Sequence, residues 1–193
     1  VTNSELQVEI DKLNDRIDQI SISGATGSIS KWAGKKWCVI GDSITEKNFR
    51  ANKNYHDYIK SSIGCIVYNH GISGSGYQSS NSIVNRIGNC PLDSELITVF
   101  AGTNDYNHGT VPLGDVGDKD ETTLCGCIYL TYSRLLERFP TKTIAVFTTL
   151  PRSSCYPLNE VVNDRGYTLG DLAKVTKEIA ELFGFPVLDL YHC

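Results

Sequence analysis

The sequence predicts an α/β fold, a parallel sheet with helices on both faces, carried behind a short N-terminal coiled-coil helix. Three observations point there. The 193 residues, 40% of them apolar, suffice for one well-buried core and are too few for two. From residue 37 onward, short β-rich runs alternate with helical patterns, and parallel strands need such crossover connections. Before that, apolar residues recur at a spacing of four and three.

The repeat runs Leu6, Ile10, Leu13, Ile17 and Ile20, a narrow seam on an otherwise polar helix. Such a seam favours helix-to-helix association over packing on the chain's own domain, so a homo-oligomer through residues 5–20 is expected. So few heptads leave dimer or trimer open. The Ser- and Gly-rich stretch that follows reads as a linker. The expected organisation is a coiled coil over 1–22, a linker over 23–34 and a catalytic domain over 35–193. Within that domain the first strand is expected at Trp37 to Ile40, then a helix near Tyr55 to Ile63 and a strand at Cys65 to Tyr68. A short helix near Ser80 to Ile87 precedes a strand at Leu96 to Phe100. A helix near Glu121 to Arg138, a strand at Thr143 to Thr149, a helix near Leu169 to Phe183 and a strand at Pro186 to Leu190 complete the pattern.

The net charge of -4, without a Lys/Arg cluster, argues against nucleic acid as a partner. No apolar run reaches the length of a membrane span and residues 1 to 30 lack a signal-peptide layout, so the domain is expected to be soluble. The seven cysteines are scattered, several within apolar runs such as Trp37 to Ile40, which suits buried thiols and synthesis in a reducing compartment better than a disulfide framework. Cys125-Gly126-Cys127 lacks further ligands at a fitting spacing, so no metal is expected. The chain has no methionine and stops directly after an apolar run, which leads us to expect a fragment of a longer polypeptide.

In a parallel α/β sheet, sites form at the carboxyl ends of the strands. After the first strand comes Gly41-Asp42-Ser43, which places a serine hydroxyl at that edge. The second is followed by Asn69-His70-Gly71-Ile72-Ser73-Gly74, whose glycines let backbone N–H groups approach a ligand. The third is followed by Gly102-Thr103-Asn104-Asp105, with a side-chain amide donor. A nucleophile, a backbone donor and a side-chain donor are what acyl transfer needs, because attack on an ester builds negative charge on the carbonyl oxygen. The glycines of the second loop do not follow the Gly-x-Gly-x-x-Gly spacing of a dinucleotide site, and no phosphate-loop lysine follows them. No organic cofactor is expected.

Over residues 35 to 193 these blocks resemble the SGNH, or GDSL-type, hydrolase family. The resemblance implies a flavodoxin-like three-layer α/β/α sandwich with a five-stranded parallel sheet. It makes Ser43 the nucleophile of a serine esterase, with its own N–H, the N–H of Gly74 and the side chain of Asn104 as the oxyanion hole. The flanking Trp32 to Trp37 and Val187 to Cys193 are similar to SGNH domains of bacteriophage tail and prophage proteins. That likeness implies a place in the virion tail and, as substrate, an O-acetyl decoration on a surface glycan.

A serine nucleophile needs a base, and there are four histidines. His56 falls in a helical pattern, as a packing or surface residue. His70 and His108 lie near the second and third loops, where they could form site walls or touch substrate. Asp189 and His192 have the Asp-x-x-His spacing of the family's final block, but Asp189 is expected within or at the end of the last strand, whereas the family's block follows that strand. The expectation is therefore a domain cut off before its true Asp-x-x-His block and closing helix, with one sheet face partly bare. Tyr77, Gln78, Tyr106 and Asn107 are candidate pocket walls, better suited to a sugar than to a long acyl chain. The rival reading is a non-catalytic glycan-binding or structural module of a tail fibre or baseplate. A free-standing lipase or thioesterase is disfavoured by the heptads and by the lack of an apolar lid-like segment.

Overall fold

A computed structural model describes Lys12 and residues 30–193, apart from 48, 79–80 and 153–160. The expected coiled coil and the first part of the linker lie outside the described residues, except for Lys12, which is helical. At the expected end of the linker the chain is already docked. Ala33 N donates to Ser30 O at 2.9 Å, and Gly34 N donates to Gly64 O at 2.8 Å.

The elements follow in the order β1 (Lys36–Gly41), α1 (Tyr55–Ile63), β2 (Ile66–Gly71), α2 (Ile83–Arg86) running into a 3-10 turn (Ile87–Asn89), and β3 (Leu96–Phe100). Next come α3 (Thr103–His108), α4 (Leu124–Arg138), β4 (Thr143–Phe147), α5 (Leu169–Leu182) and β5 (Val187–Leu188). The strands form one sheet in the order β2-β1-β3-β4-β5, and every pair is parallel. This is the α/β fold with a five-stranded parallel sheet that the sequence led us to expect.

Alternation along β1 divides the core in two. Cys38 and Ile40 face the larger part, with Ile97 and Val99 of β3, Ile144 and Val146 of β4, and the inner faces of α4 and α5. On α4 that face is Leu124, Ile128, Tyr132 and Leu135, and on α5 Leu172, Val175 and Ile179, both at helical spacing. Trp37 and Val39 point the other way, onto Cys65 and the Tyr55, Ile59 and Ile63 side of α1. There Tyr55 meets the rings of Phe100 and Phe147 edge-on at 5.7 and 5.9 Å. Farther along that face Ala145 is half-buried and Leu188 is 46% exposed.

Caps account for the boundaries. The Thr168 side chain accepts from Asp171 N at 3.0 Å, and the Asp171 carboxylate accepts from Thr168 N at 2.9 Å, a capping box that starts α5. α4 begins at Leu124 rather than near Glu121 because Thr123 caps it, accepting from Gly126 N at 3.1 Å. α3, expected as loop, is a six-residue helix that starts at Gly102, whose φ of 116° a side chain would resist.

Inside the smaller core, Trp37 Nε1 donates to Thr98 Oγ1 at 2.9 Å, with both residues buried. Thr98→Val keeps the shape and strands the indole N–H, so it is expected to cost about 1–3 kcal/mol in denaturant unfolding. An unchanged midpoint would refute this account of the contact.

Candidate active site

The β1 exit is built by Asp42. Its carbonyl accepts from Thr45 N at 3.1 Å and Glu46 N at 2.9 Å, which coils the chain as soon as it leaves the sheet. Its carboxylate accepts from Ile44 N at 2.8 Å. Ser43 lies between these bonds, half-buried. Gly41 cannot be larger, since a Cβ would run into Thr45 Oγ1 and the Phe100 carbonyl. Asp42 is buried, and burial raises its carboxyl to about 6 against the pull of the backbone bond from Ile44.

The second loop turns at Gly74, whose φ is 76° and whose Cα faces open space. Glycine serves the backbone here, not a close approach. The third loop is bonded to the second: Asn104 Nδ2 donates to Ser75 O at 2.8 Å. Next to it, buried Asp105 accepts from Tyr77 N at 3.0 Å and Gln78 N at 2.9 Å. Gly76 packs against this carboxylate with no room for a Cβ. Gly74 and Asn104 therefore line one cavity of about 250 Å³, with Gln78, Asp105, His108, Gly109 and Thr110.

Arg86, at the end of α2, joins the first loop to the second. Its guanidinium, itself buried, donates to the carbonyls of Gly41, His70 and Asn81 and to Ser75 Oγ. Ile72 N adds a bond to Gly41 O at 3.0 Å.

The histidines divide clearly. His56 is buried beneath the first loop, with Nε2 3.0 Å from Thr45 O, and is a packing residue. His70 is half-buried at the end of β2, and burial and Arg86 both lower its pKa. His108 is exposed on the cavity wall. At His192, Nδ1 stands 3.0 and 3.1 Å from the two carboxylate oxygens of Asp189. Asp189 also accepts from Thr148 Oγ1 at 3.2 Å and from His192 N at 3.3 Å. Partial burial pushes its carboxyl up, but the bonds from His192 and Thr148 outweigh that and hold it below the ordinary range. β5 stops at Leu188, so Asp189 comes after the last strand and not within it. Asp189 thus sits at the end of the strand, one of the two placements the sequence allowed; the apolar run continues to Leu190, whereas the ladder with β4 ends at Leu188. The His192 ring is 66% exposed, leaving Nε2 free of the Asp189 contact.

Of the expected walls, Gln78 lines the cavity. Tyr77 is buried with its hydroxyl 3.1 Å from that of Tyr132, Tyr106 is buried with its hydroxyl donating to Val161 O, and Asn107 accepts from Arg152. Arg86, Asp105 and Thr148 received no role from sequence reasoning. The one available signal was Arg86, a charge set among Ile83, Val84 and Ile87.

The sequence model of the GDSL-like lipase/acylhydrolase family matches residues 39–193. The chain belongs to this family. A GDSL-like hydrolase is therefore what the domain is at the level of class. Among solved structures it is similar to a Lactobacillus plantarum protein at 31% identity and TM-score 0.74, covering 83% of this chain and 78% of that one. A possible lipase from Chitinophaga pinensis matches at 25% identity and TM-score 0.65, over 82% of this chain and 68% of that one. A lipase/acylhydrolase from Enterococcus faecalis, at 19% identity and TM-score 0.57 over 82% and 77%, shares the fold. Nothing among curated proteins matches. Among the described residues, no helix is long and apolar enough to cross a membrane.

Burial also raises Asp105 to about 6, against the backbone bonds from Tyr77 and Gln78. A carboxyl near 6 when folded and about 3.9 when unfolded holds its proton more tightly in the folded state. Its contribution to stability is complete below pH 4 and is lost as pH rises through 6. The stability of the wild type relative to Asp105→Asn should thus fall by roughly 2 kcal/mol between pH 4 and pH 7, read from urea melts. A constant difference would mean that Asp105 titrates normally.

Proposed function

We propose that this domain is a carboxylic ester hydrolase that works through a Ser43 acyl-enzyme. The observation that carries the reading is the Asp189–His192 pair, bonded through Nδ1 at 3.0 Å and following β5 at the sheet edge where the first three loops also end. A carboxylate on Nδ1 fixes the tautomer with a basic Nε2 and stabilises the imidazolium once it forms. His192 is the base that takes the Ser43 proton and later returns it to the leaving alcohol. The N–H groups of Ser43 and Gly74 and the Asn104 amide receive the developing oxyanion. Asn104 Nδ2 carries two protons, and among the described residues one of them is engaged on Ser75 O.

The cavity of about 250 Å³ beside Gly74 and Asn104 is walled by the polar side chains of Gln78, Asp105, His108 and Thr110, which supports a polar substrate. We take an O-acetylated glycan as the substrate class, and the heptads over residues 6 to 20 support display of the domain on a homo-oligomer, as in a phage tail.

Hydrolysis of p-nitrophenyl acetate tests the mechanism. Ser43→Ala and His192→Ala are each expected to abolish turnover, and Asp189→Asn to lower kcat roughly 10²–10⁴-fold. Asn104→Ala should lower kcat roughly 10²–10³-fold with a smaller change in KM. Turnover that survives Ser43→Ala would overturn the mechanism, and full activity in His192→Ala would move the base elsewhere. If no ester is cleaved while an acetylated glycan binds equally to wild type and Ser43→Ala, the binding-module reading replaces it.

A further inference from the structure

One pair of reactive side chains lies apart from the candidate site. Cys38, in the middle of β1, and Cys90, just past the 3-10 turn, are 0 and 1% exposed. Their sulfurs are 2.6 Å apart. The two thiols are in direct contact inside the core. Cys38 is paired on both sides, opposite Tyr68 of β2 and Ile97 of β3. Cys90 is held by its N–H on Ile87 O at 3.2 Å and by Arg138, which donates to its carbonyl at 2.8 Å.

The surroundings favour oxidation. Among the described residues Arg86 donates to three carbonyls and a hydroxyl and to no carboxylate. Arg86 and Arg138 both stabilise a thiolate at Cys90, whose pKa is lowered first by the bond from Cys38 and further by these two cations. A ring nitrogen of His70 lies within 4.8 Å of both sulfurs.

We propose that Cys38 and Cys90 form a redox modification site that closes to a disulfide, tying β1 to the segment ahead of β3. The oxidant is a small peroxide. The Cys90 thiolate attacks a peroxide oxygen and the O–O bond breaks. With hydrogen peroxide the products are a sulfenic acid and hydroxide, which takes up the thiol proton as water. Cys38 then attacks the sulfenic sulfur and releases a second water. Two thiols lose two electrons and one peroxide gains them. The three ligand atoms could also bracket a soft cation, but tetrahedral zinc holds its sulfurs about 3.7 Å apart, and the charge of Arg86 opposes a cation at this place.

The test is made on the intact chain. Protein with and without hydrogen peroxide is unfolded in iodoacetamide, weighed, and mapped without reduction. Of the seven cysteines, two are expected to escape alkylation after peroxide, in one cross-linked peptide pair containing Cys38 and Cys90, and dithiothreitol should restore them. Reduction should lower the Tm of the oxidised protein by roughly 5–10 °C, since the bridge closes a long loop. Cys38→Ser and Cys90→Ser should each abolish the cross-link, and Cys65→Ser should not. Seven alkylated cysteines after peroxide, a cross-link between other cysteines, or protection that a chelator removes would each overturn the proposal; the last would assign a metal site instead.

Discussion

The buried guanidinium of Arg86 is the contact on which the site depends. A cation removed from water is costly unless its donors are met, and here four acceptors meet them, from the end of β1, the end of β2 and the loop that follows β2. None of the four is charged, so the group acts as a rigid spacer between peptide planes. Loops that leave neighbouring strands would otherwise drift independently. The third loop then attaches to what Arg86 has already fixed, through Asn104 on Ser75 O and Asp105 on Tyr77 N and Gln78 N.

Three aspartates that follow strands show how environment assigns roles to one side chain. Asp42 and Asp105 are buried, accept backbone N–H groups and have raised pKa values, so they order loops. Asp189 is partly exposed, meets an imidazole and has a lowered pKa, which suits a group that must remain charged beside a histidinium. Sequence spacing alone does not separate these cases, because each aspartate follows a strand.

The fold was legible because its signals are local. Alternating apolar runs marked the strands, and helical spacing marked α1, α4 and α5. The Gly41, Gly74 and Asn104 loops could be read because glycine and amide types are tied to backbone geometry and chemistry at strand exits. α3 was not legible, since Thr103 to His108 carries no apolar repeat and the helix exists through tertiary contacts such as Asp105 with Tyr77 N. Arg86 and Thr148 act through partners distant in sequence, which no local pattern encodes. The Asp189–His192 spacing was visible, but its position relative to the strand depends on where the β4 ladder ends.

That ladder has a consequence for heat. β5 contributes two residues at the edge of the sheet, so the segment carrying Asp189 and His192 is anchored by fewer cross-strand bonds than any other strand end. Local opening there exposes little apolar surface and leaves the four longer strands intact. With His192 as the proposed base, this segment is expected to open first on warming, so that turnover fades while the core still protects its amides from exchange.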